Sequence, residues 1–291
     1  MKISVIIPAH NAEHTIQSCL HALKQQQHIE PSAYEIIVVD DGSTDNTAAL
    51  CEKEAAVSLI RQESTKGAAA ARNIGIQAAS HNLICFTDAD CIPTPNWLHC
   101  LAQPFANPEI DGCKGSYATN QPELVARFVQ IEYEDKYDLL HKQSRIDFID
   151  TYSAAYHREV LLENNGFDER FHYTEDQELS FRLTARGYQF VFQPDAVVYH
   201  QHSASWRAYF HKKFWIGYWK TQTIRRFPER AVKDSHTPQV MKVQMGLMAL
   251  LVGTTAVLPI TAVLLPTLLR ITAVFWLALV LTFLTTTLPF L

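Results

Sequence analysis

The chain has 291 residues, of which 47 % are hydrophobic and 19 % are charged, and its formal net charge is -5. This length and composition predict the buried core of one large folded domain, with sequence left over. Ten Lys or Arg against two acids give residues 206–291 a charge of +8, so the first 205 residues carry -13, which argues against a nucleic-acid-binding face.

The amino-terminal part of the chain alternates between two kinds of segment. Three short apolar runs are typical of buried parallel strands, at residues 3–7, 35–39 and 83–86. Three segments with helical character separate or follow them, at residues 12–27, 45–55 and 68–79. This alternation predicts an α/β sheet with right-handed crossover connections.

Polar loops follow the three strand-like runs. They are His10-Asn11, Asp40-Asp41 and Asp88-Ala89-Asp90. In open α/β sheets ligands bind beyond the carboxyl ends of the strands, so we expect these loops to converge on one crevice. No Gly-x-Gly-x-x-Gly follows the first strand, which disfavours a nicotinamide or flavin cofactor.

Asp88 and Asp90 are two carboxylates one residue apart at the end of a strand-like run. Taken alone, this pattern is more often a solvated turn. At the edge of a nucleotide-binding sheet, however, two such carboxylates can hold a divalent cation against a diphosphate. The loops upstream favour this second interpretation.

A helix start is predicted at Thr174, because Gln177 three residues later completes a capping-box pattern. Glu175 and Asp176 then lie in the first turn. Acids are favoured there by the helix dipole in any protein. A carboxylate at a helix tip also suits a general base that accepts a proton from a hydroxyl, so both interpretations stay open.

His200 and His202 alternate on a segment that reads as extended, so their side chains point the same way. Two such histidines are often incidental. An imidazole can also complete a ligand shell begun by Asp90, and His200 is the stronger candidate for that role.

The carboxyl-terminal region predicts membrane contact. Residues 243–269 and 271–291 carry no charge, and each run exceeds the roughly 20 residues that a helix needs to cross a bilayer. We therefore expect two transmembrane helices, or one long broken helix with an interfacial piece, because Pro259 and Pro266 can bend the first run. Two buried helices of a soluble protein are the alternative. Residues 206–242 are basic and aromatic, which favours a helix lying on anionic lipid over an ordinary core helix. The same positive charge, just before the first uncharged run, predicts that the large amino-terminal domain lies on the cytoplasmic side.

The first 205 residues resemble the inverting glycosyltransferases of family 2, which have the GT-A fold. The similar segments are residues 4–11, 38–45, 66–68, 71–75, 88–90 and 174–176. The resemblance predicts an α/β, Rossmann-like GT-A domain for nucleotide-diphospho-sugar transfer over 1–205. We expect it to be followed by the interfacial segment over 206–242 and the transmembrane helices over 243–291.

The resemblance also implies a set of site residues. Donor binding would involve Pro8, Ala9, His10, Asp41, Lys66, Gly67, Arg72, Asp88, Ala89 and Asp90. Asp88 and Asp90, with His200 as a further candidate, would hold Mn²⁺ or Mg²⁺. Asp176 would be the general base of a single displacement that inverts the sugar. The donor is expected to be a UDP-sugar.

Attachment to the inner membrane would suit a lipid-linked saccharide or a growing cell-surface polysaccharide as acceptor. One alternative is a transferase that places a single sugar on polyprenyl phosphate, with Lys212, Lys213, Arg225 and Arg226 near the lipid headgroups. A second alternative is a catalytically silent nucleotide-binding scaffold at the membrane.

Overall fold

The computed structural model describes residues 1–231, 243, 246–248, 250–251, 253–255 and 274–282. The chain divides into two units, Met1–Pro228 and Glu229–Leu291. The elements below belong to the first unit, which contains every predicted site residue.

The sheet of the first unit is parallel on one side and mixed on the other. Its strands are β1 (Ile3–Ala9), β2 (Tyr34–Asp40), β3 (Val57–Arg61), β4 (Leu83–Phe86), β5 (Cys91–Pro93), β6 (Gly112–Ala118), β7 (Ala154–His157) and β8 (Phe190–His200). Their order in the sheet is β3-β2-β1-β4-β7-β6-β8-β5. The first four are parallel, and β7 then pairs antiparallel to both β4 and β6. β8 runs parallel to β6, and β5 pairs antiparallel with β8 at the edge.

Helices cover both faces of this sheet. They are α1 (Ile16–Lys24), α2 (Thr47–Glu52), α3 (Ala68–Ala78), α4 (Trp97–Ala102), α5 (Leu124–Leu140), α6 (Arg158–Glu163), α7 (Glu175–Ala185) and α8 (Trp206–Arg226). The alternation of strands and helices over the first ninety residues confirms the predicted α/β order.

Strand β1 shows why the apolar runs are continuous. Ile3, Val5 and Ile7 lie in one apolar cluster with residues of α1, whereas Ile6 lies in the cluster on the other face. Both faces are therefore buried, as expected for a parallel strand. A Cβ at Gly75 of α3 would overlap the side chain of Ile6, so the absence of a side chain allows this helix to lie close to the sheet.

The capping box predicted at Thr174 does not form. Helix α7 begins at Glu175 as expected, but the Thr174 side chain makes no capping hydrogen bond. Its hydroxyl instead bonds to the hydroxyl of Thr223 in α8, at 2.9 Å. A tertiary partner 49 residues away has replaced the local one.

The prediction of transmembrane helices is wrong for the part of the chain that the structure describes. No helix within it is both long and apolar enough to cross a bilayer. α8 has 21 residues but carries cations along its length. The described segment 274–282 spans nine residues, about 14 Å at the helical rise, against roughly 30 Å of hydrocarbon. The other described parts of 243–291 are shorter, and the remainder lies outside the described residues, as do 232–242 of the predicted interfacial segment.

Candidate functional site

The loops at the carboxyl ends of β1, β2 and β4 meet, as expected for this class of sheet. The backbone N–H of Asp41 donates to the carbonyl of Ala9 at 2.8 Å. The backbone N–H of Thr87, just before Asp88, lies 3.4 Å from the carbonyl of Ile6. The crevice is thus built from neighbouring strand ends, with the polar loop residues at its rim.

Asp41 organises the loop that leads into α3. Its carboxylate is buried and accepts hydrogen bonds from the backbone N–H groups of Lys66 and Gly67, at 2.7 and 2.8 Å, and from the Gln62 amide at 2.8 Å. Gly67 has φ +96°, a backbone conformation that suits glycine. Lys66 is exposed, so its ammonium group is available at the rim while its backbone holds the loop.

The segment Pro8, Ala9 and His10 forms the floor of the same crevice. Ala9 is buried, Pro8 is half-buried and His10 is exposed. The His10 Nδ1 atom lies 2.8 Å from the carbonyl oxygen of Asp41. This contact holds the edge of the ring of an exposed residue, which is compatible with stacking on a nucleobase.

Arg72 joins two parts of the site that are far apart in sequence. It is 4 % exposed, and its guanidinium donates to Asp88 Oδ1 at 2.9 Å and to Glu175 Oε1 at 2.8 Å. Burial opposes the charge, but Asp88 and Glu175 outweigh it and raise the pKa of Arg72. The guanidinium therefore bonds to two carboxylates of the protein, and the position near the nucleotide that the resemblance implies stays a prediction.

The Asp88-Ala89-Asp90 loop carries a possible metal site. Ligand atoms of Asp88, Asp90 and Cys91 all lie within 4.8 Å of one another. The His200 Nε2 atom is 3.2 Å from Asp90 Oδ2, because Cys91 of β5 pairs with His200 of β8. Ala89 is buried and lies between the two aspartates.

The chemistry of these groups fits a divalent cation. Burial opposes the charge of Asp90, but the hydrogen bond and charge of His200, together with Lys212, lower the pKa of Asp90 overall. The His200 Nδ1 atom is buried and has no hydrogen-bond partner among the residues that the structure describes. Carboxylate and imidazole are ligands that Mn²⁺ accepts, and Mg²⁺ accepts the carboxylates. Burial raises the pKa of the Cys91 thiol well above its usual value, which makes the sulfur a poor ligand.

His202, the second histidine of the strand-like pair, has a different role. Its Nε2 atom lies 3.1 Å from the Gln130 side-chain oxygen, and its ring stacks on Tyr133. Burial, followed by the charge of His200, lowers its pKa to about 4. His202 is thus a neutral packing residue next to the site.

Asp176 lies half-buried in the first turn of α7. Burial, followed by the charges of Glu175 and Asp150, raises the pKa of Asp176 well above its ordinary value, with Arg72 acting in the opposite direction. A carboxylate whose pKa is raised in this way is a stronger base once it is ionised. Because Glu175 holds Arg72, the helix tip is connected to the Asp88 loop.

Sequence reasoning missed a buried ion pair next to Asp176. Lys114 on β6 is 1 % exposed and pairs with Asp150. The neighbouring residue Ile149 donates its backbone N–H to Ser180 Oγ at 3.0 Å, and Ser180 is one turn beyond Asp176 on α7. A lysine inside an otherwise uncharged strand was the available signal for Lys114. Asp150 gave no local signal.

Comparison with known proteins decides the family. Residues 4–164 match the family model described as glycosyl transferase family 2, which is more than half of the chain. The chain belongs to glycosyl transferase family 2. This confirms the resemblance on which the site residues were chosen.

Individual relatives are more distant. A pre-mycofactocin glycosyltransferase of Mycobacterium tuberculosis is 25 % identical over 247 residues, covering 78 % of this chain and 48 % of the relative. WfgD of Escherichia coli, a UDP-Glc:alpha-D-GlcNAc-diphosphoundecaprenol beta-1,3-glucosyltransferase, is 34 % identical over 130 residues, covering 44 % of this chain and 50 % of the relative. The chain thus spans about half the length of these two relatives.

A solved structure supports the fold. The structure of the mannosyltransferase PcManGT from Pyrobaculum calidifontis, in complex with GDP-Man and Mn²⁺, matches this chain with a TM-score of 0.65 at 19 % identity. The match covers 97 % of this chain and 87 % of that one. This likeness confirms the predicted α/β fold of GT-A type.

Proposed function

We propose that this family member transfers a sugar from a nucleotide-diphosphate sugar to a hydroxyl group of a lipid-linked saccharide or a growing polysaccharide. The observation that carries the proposal is the Arg72 bridge. One buried guanidinium links Asp88, in the candidate metal loop, to Glu175, which precedes the candidate base Asp176. A donor-binding group and a proton acceptor in one connected cluster is the arrangement that glycosyl transfer needs.

The proposed reaction is a single displacement. The acceptor oxygen attacks the anomeric carbon, the bond from that carbon to the diphosphate oxygen breaks, and the acceptor proton passes to the Asp176 carboxylate. Bound at Asp88 and Asp90 beside His200, Mn²⁺ or Mg²⁺ would neutralise charge on the departing nucleoside diphosphate. The product would then have the anomeric configuration opposite to that of the donor.

A uridine nucleotide is the first donor to test, because the relative WfgD is a UDP-Glc glucosyltransferase. A guanosine nucleotide is the second, because PcManGT was solved with GDP-Man and Mn²⁺. The crevice beside His10 and Asp41 offers a stacking face and a carboxylate-organised loop to either base.

Calorimetric titration of the purified protein with UDP, GDP and dTDP, each with and without Mn²⁺, tests the donor site. We expect one nucleotide to bind in a metal-dependent way, and Asp90→Ala to abolish that dependence. Asp195→Ala is the matched control, because Asp195 is an exposed aspartate on β8 away from the loop. A wild-type protein that binds no nucleotide under either condition would contradict the proposal and favour a scaffold.

Lipid contact is part of the same proposal. α8 exposes Trp206, Phe210, Phe214 and Tyr218 at four-residue spacing, with exposed fractions between 44 and 67 %. Cations lie on the same helix and its first turn contains no acid. An apolar stripe with cations beside it complements an anionic lipid surface. The location at the cytoplasmic face of an inner membrane stays a prediction.

Co-sedimentation with vesicles tests this contact. The protein should bind vesicles that contain anionic lipid, and Phe210→Ser with Phe214→Ser should reduce binding several-fold. Binding that is unchanged in the double variant would show that this stripe is not the lipid-contacting surface.

A further inference from the structure

Three lysines from three different elements lie close enough together for the charges of Lys114 and Lys213 to act on Lys136 of α5. Lys114 of β6 pairs with Asp150, and Lys213 of α8 lies 3.0 Å from Glu132 of α5. The third, Lys136, is one helical turn beyond Glu132 on the same face of α5. Two carboxylates are thus paired with two of the three ammonium groups.

Lys136 is the lysine without an acidic partner. Among the described residues no carboxylate lies within 4 Å of its Nζ atom, which instead sits 4.9 Å from the centre of the Tyr133 ring. The side chain is half-buried. Burial, followed by the charge of Lys213, lowers its pKa to about 8, with Lys114 acting in the same direction and Asp150 and Glu132 opposing. A cation kept partly out of water beside other cations is a site for an anion.

On one side, residues around Lys136 connect this cation to the candidate base Asp176. Asp150 acts on the charge of both Lys136 and Asp176. Asp150 also follows Ile149, which is tied to Ser180 on the helix of Asp176. Asp150 thus links the surroundings of Lys136 to the helix that carries the candidate base Asp176.

On the other side, the site borders exposed apolar surface. Phe128 and Ile131 of α5 are 40 and 53 % exposed, and the Phe128 ring contacts Trp206 of α8, with 5.5 Å between ring centres. Phe128 precedes Lys136 by eight residues, about 12 Å along the helix. The exposed apolar surface, the Lys136 cation and the candidate base Asp176 thus follow one another in the same order as the three parts of a lipid-linked acceptor. Those parts are the lipid chain, the phosphate and the sugar hydroxyl.

We propose that Lys136, supported by Lys213, binds the phosphate of the acceptor, and that the acceptor is a saccharide carried on an apolar phosphate or diphosphate. This inference rests on the proposed function and narrows it, because a neutral polysaccharide has no group for this cation. The other source of the same chemistry is the diphosphate of the donor, which the experiment must separate.

The test uses farnesyl diphosphate as an anionic lipid probe and farnesol as its neutral counterpart, titrated into the purified full chain in detergent with UDP and Mn²⁺ present. In Lys136→Met the dissociation constant for farnesyl diphosphate should rise about 10- to 100-fold, the usual range for loss of a charge-assisted hydrogen bond. Farnesol binding should not change. Lys136→Arg, which keeps the charge, should restore most of the affinity.

Lys142→Met is the matched control, because Lys142 is an exposed lysine just beyond α5. It should leave the affinity for farnesyl diphosphate at the wild-type level. Equal weakening in Lys142→Met would reduce the effect to general charge and overturn the proposal. So would an unchanged affinity in Lys136→Met, provided that its thermal unfolding matches wild type; if Lys136→Met unfolds, Lys136→Gln serves in the same comparison.

A separate titration with UDP and Mn²⁺ distinguishes the two phosphate sources. UDP affinity should be the same in wild type and Lys136→Met. If UDP binding weakens and farnesyl diphosphate binding does not, Lys136 serves the donor and the inference is wrong. If UDP fails to bind even to wild type, the proposed function fails, while the farnesyl diphosphate comparison still decides whether Lys136 is an anion site.

Discussion

The candidate donor side and the candidate acceptor side proposed above are built from different kinds of contact. Around Asp41 the carboxylate is satisfied mainly by backbone N–H groups of one loop, about 25 residues away in sequence. On the acceptor side the contacts join side chains, such as Lys213 to Glu132 and Arg72 to Glu175, which are 81 and 103 residues apart. Backbone contacts tolerate many side chains, whereas each side-chain pair depends on two particular residues. Amino-acid substitutions should therefore disturb the contacts of the candidate acceptor side more than those of the candidate donor side.

The largest effect should come from the candidate base, Asp176. Asp176→Asn removes the proton acceptor, so kcat should fall about 10²- to 10⁴-fold in a sugar-transfer assay. UDP affinity should stay at the wild-type level, because the donor loops are untouched. A variant with wild-type kcat would exclude Asp176 as the base.

Arg72→Met should act mainly on stability. It leaves Asp88 and Glu175 without their shared cation, and Arg72 is 4 % exposed. Breaking a buried ion pair by removing one partner costs about 3–5 kcal/mol of unfolding free energy, measurable by urea denaturation. The control is Arg127→Met, on an arginine of α5 for which the structure shows no ion pair among the described residues. Equal loss in both variants would show that the bridge contributes nothing particular.

The acid limb of the pH–activity profile should report the electrostatics around Asp176. Burial, Glu175 and Asp150 raise the pKa of Asp176, so kcat/KM should fall on acidification at a pH above the ordinary aspartate value of about 4. Asp150→Asn removes one of these negative charges, lowers the pKa of Asp176 and should move the limb to lower pH. Asp138→Asn, at an exposed position on α5, should leave the limb in place. A limb that moves to higher pH in Asp150→Asn would contradict this assignment.

The smallest effect concerns the contact that brings α8 to the tip of α7. Thr223→Val removes the hydroxyl partner of Thr174, at a cost of about 1 kcal/mol of unfolding free energy. The double variant with Thr174→Val should be no less stable than the single one, since neither side then leaves a buried hydroxyl unpaired. Thr221→Val, at an exposed position of the same helix, is the control. Strictly additive losses would show that the two hydroxyls do not interact.

The sequence was most informative about the candidate site residues that lie in loops directly after strands. The apolar runs of β1, β2 and β4 identify the sheet, and the polar residues that follow them lie at its carboxyl edge because strand geometry places them there. It was least informative where a side chain finds a distant partner. Nothing near Thr174 indicates that Thr223 will take its hydroxyl, and nothing near Asp150 indicates that Lys114 will meet it.

The prediction of transmembrane helices, which the described residues contradict, rested on the length of two segments and their absence of charge. These two properties show that a segment is able to cross a bilayer, but they do not show where a helix forms. The longest described helix is α8, where cations alternate with aromatic residues. Its apolar residues are arranged as a stripe, and hydropathy averaged along the chain does not detect a stripe.

The pairing of β5 with β8 has a consequence for how the candidate metal site can change. β5 has three residues, and Cys91 faces His200 across the ladder. Inserting one residue between Asp90 and Cys91 would move the Asp90 carboxylate away from the His200 imidazole or, if the register slips by one residue, place Tyr199 opposite Cys91. The spacing between Asp90 and Cys91 therefore allows only one set of ligands to come together. Evolution can therefore alter metal preference here by substitution, but not gradually by lengthening the loop.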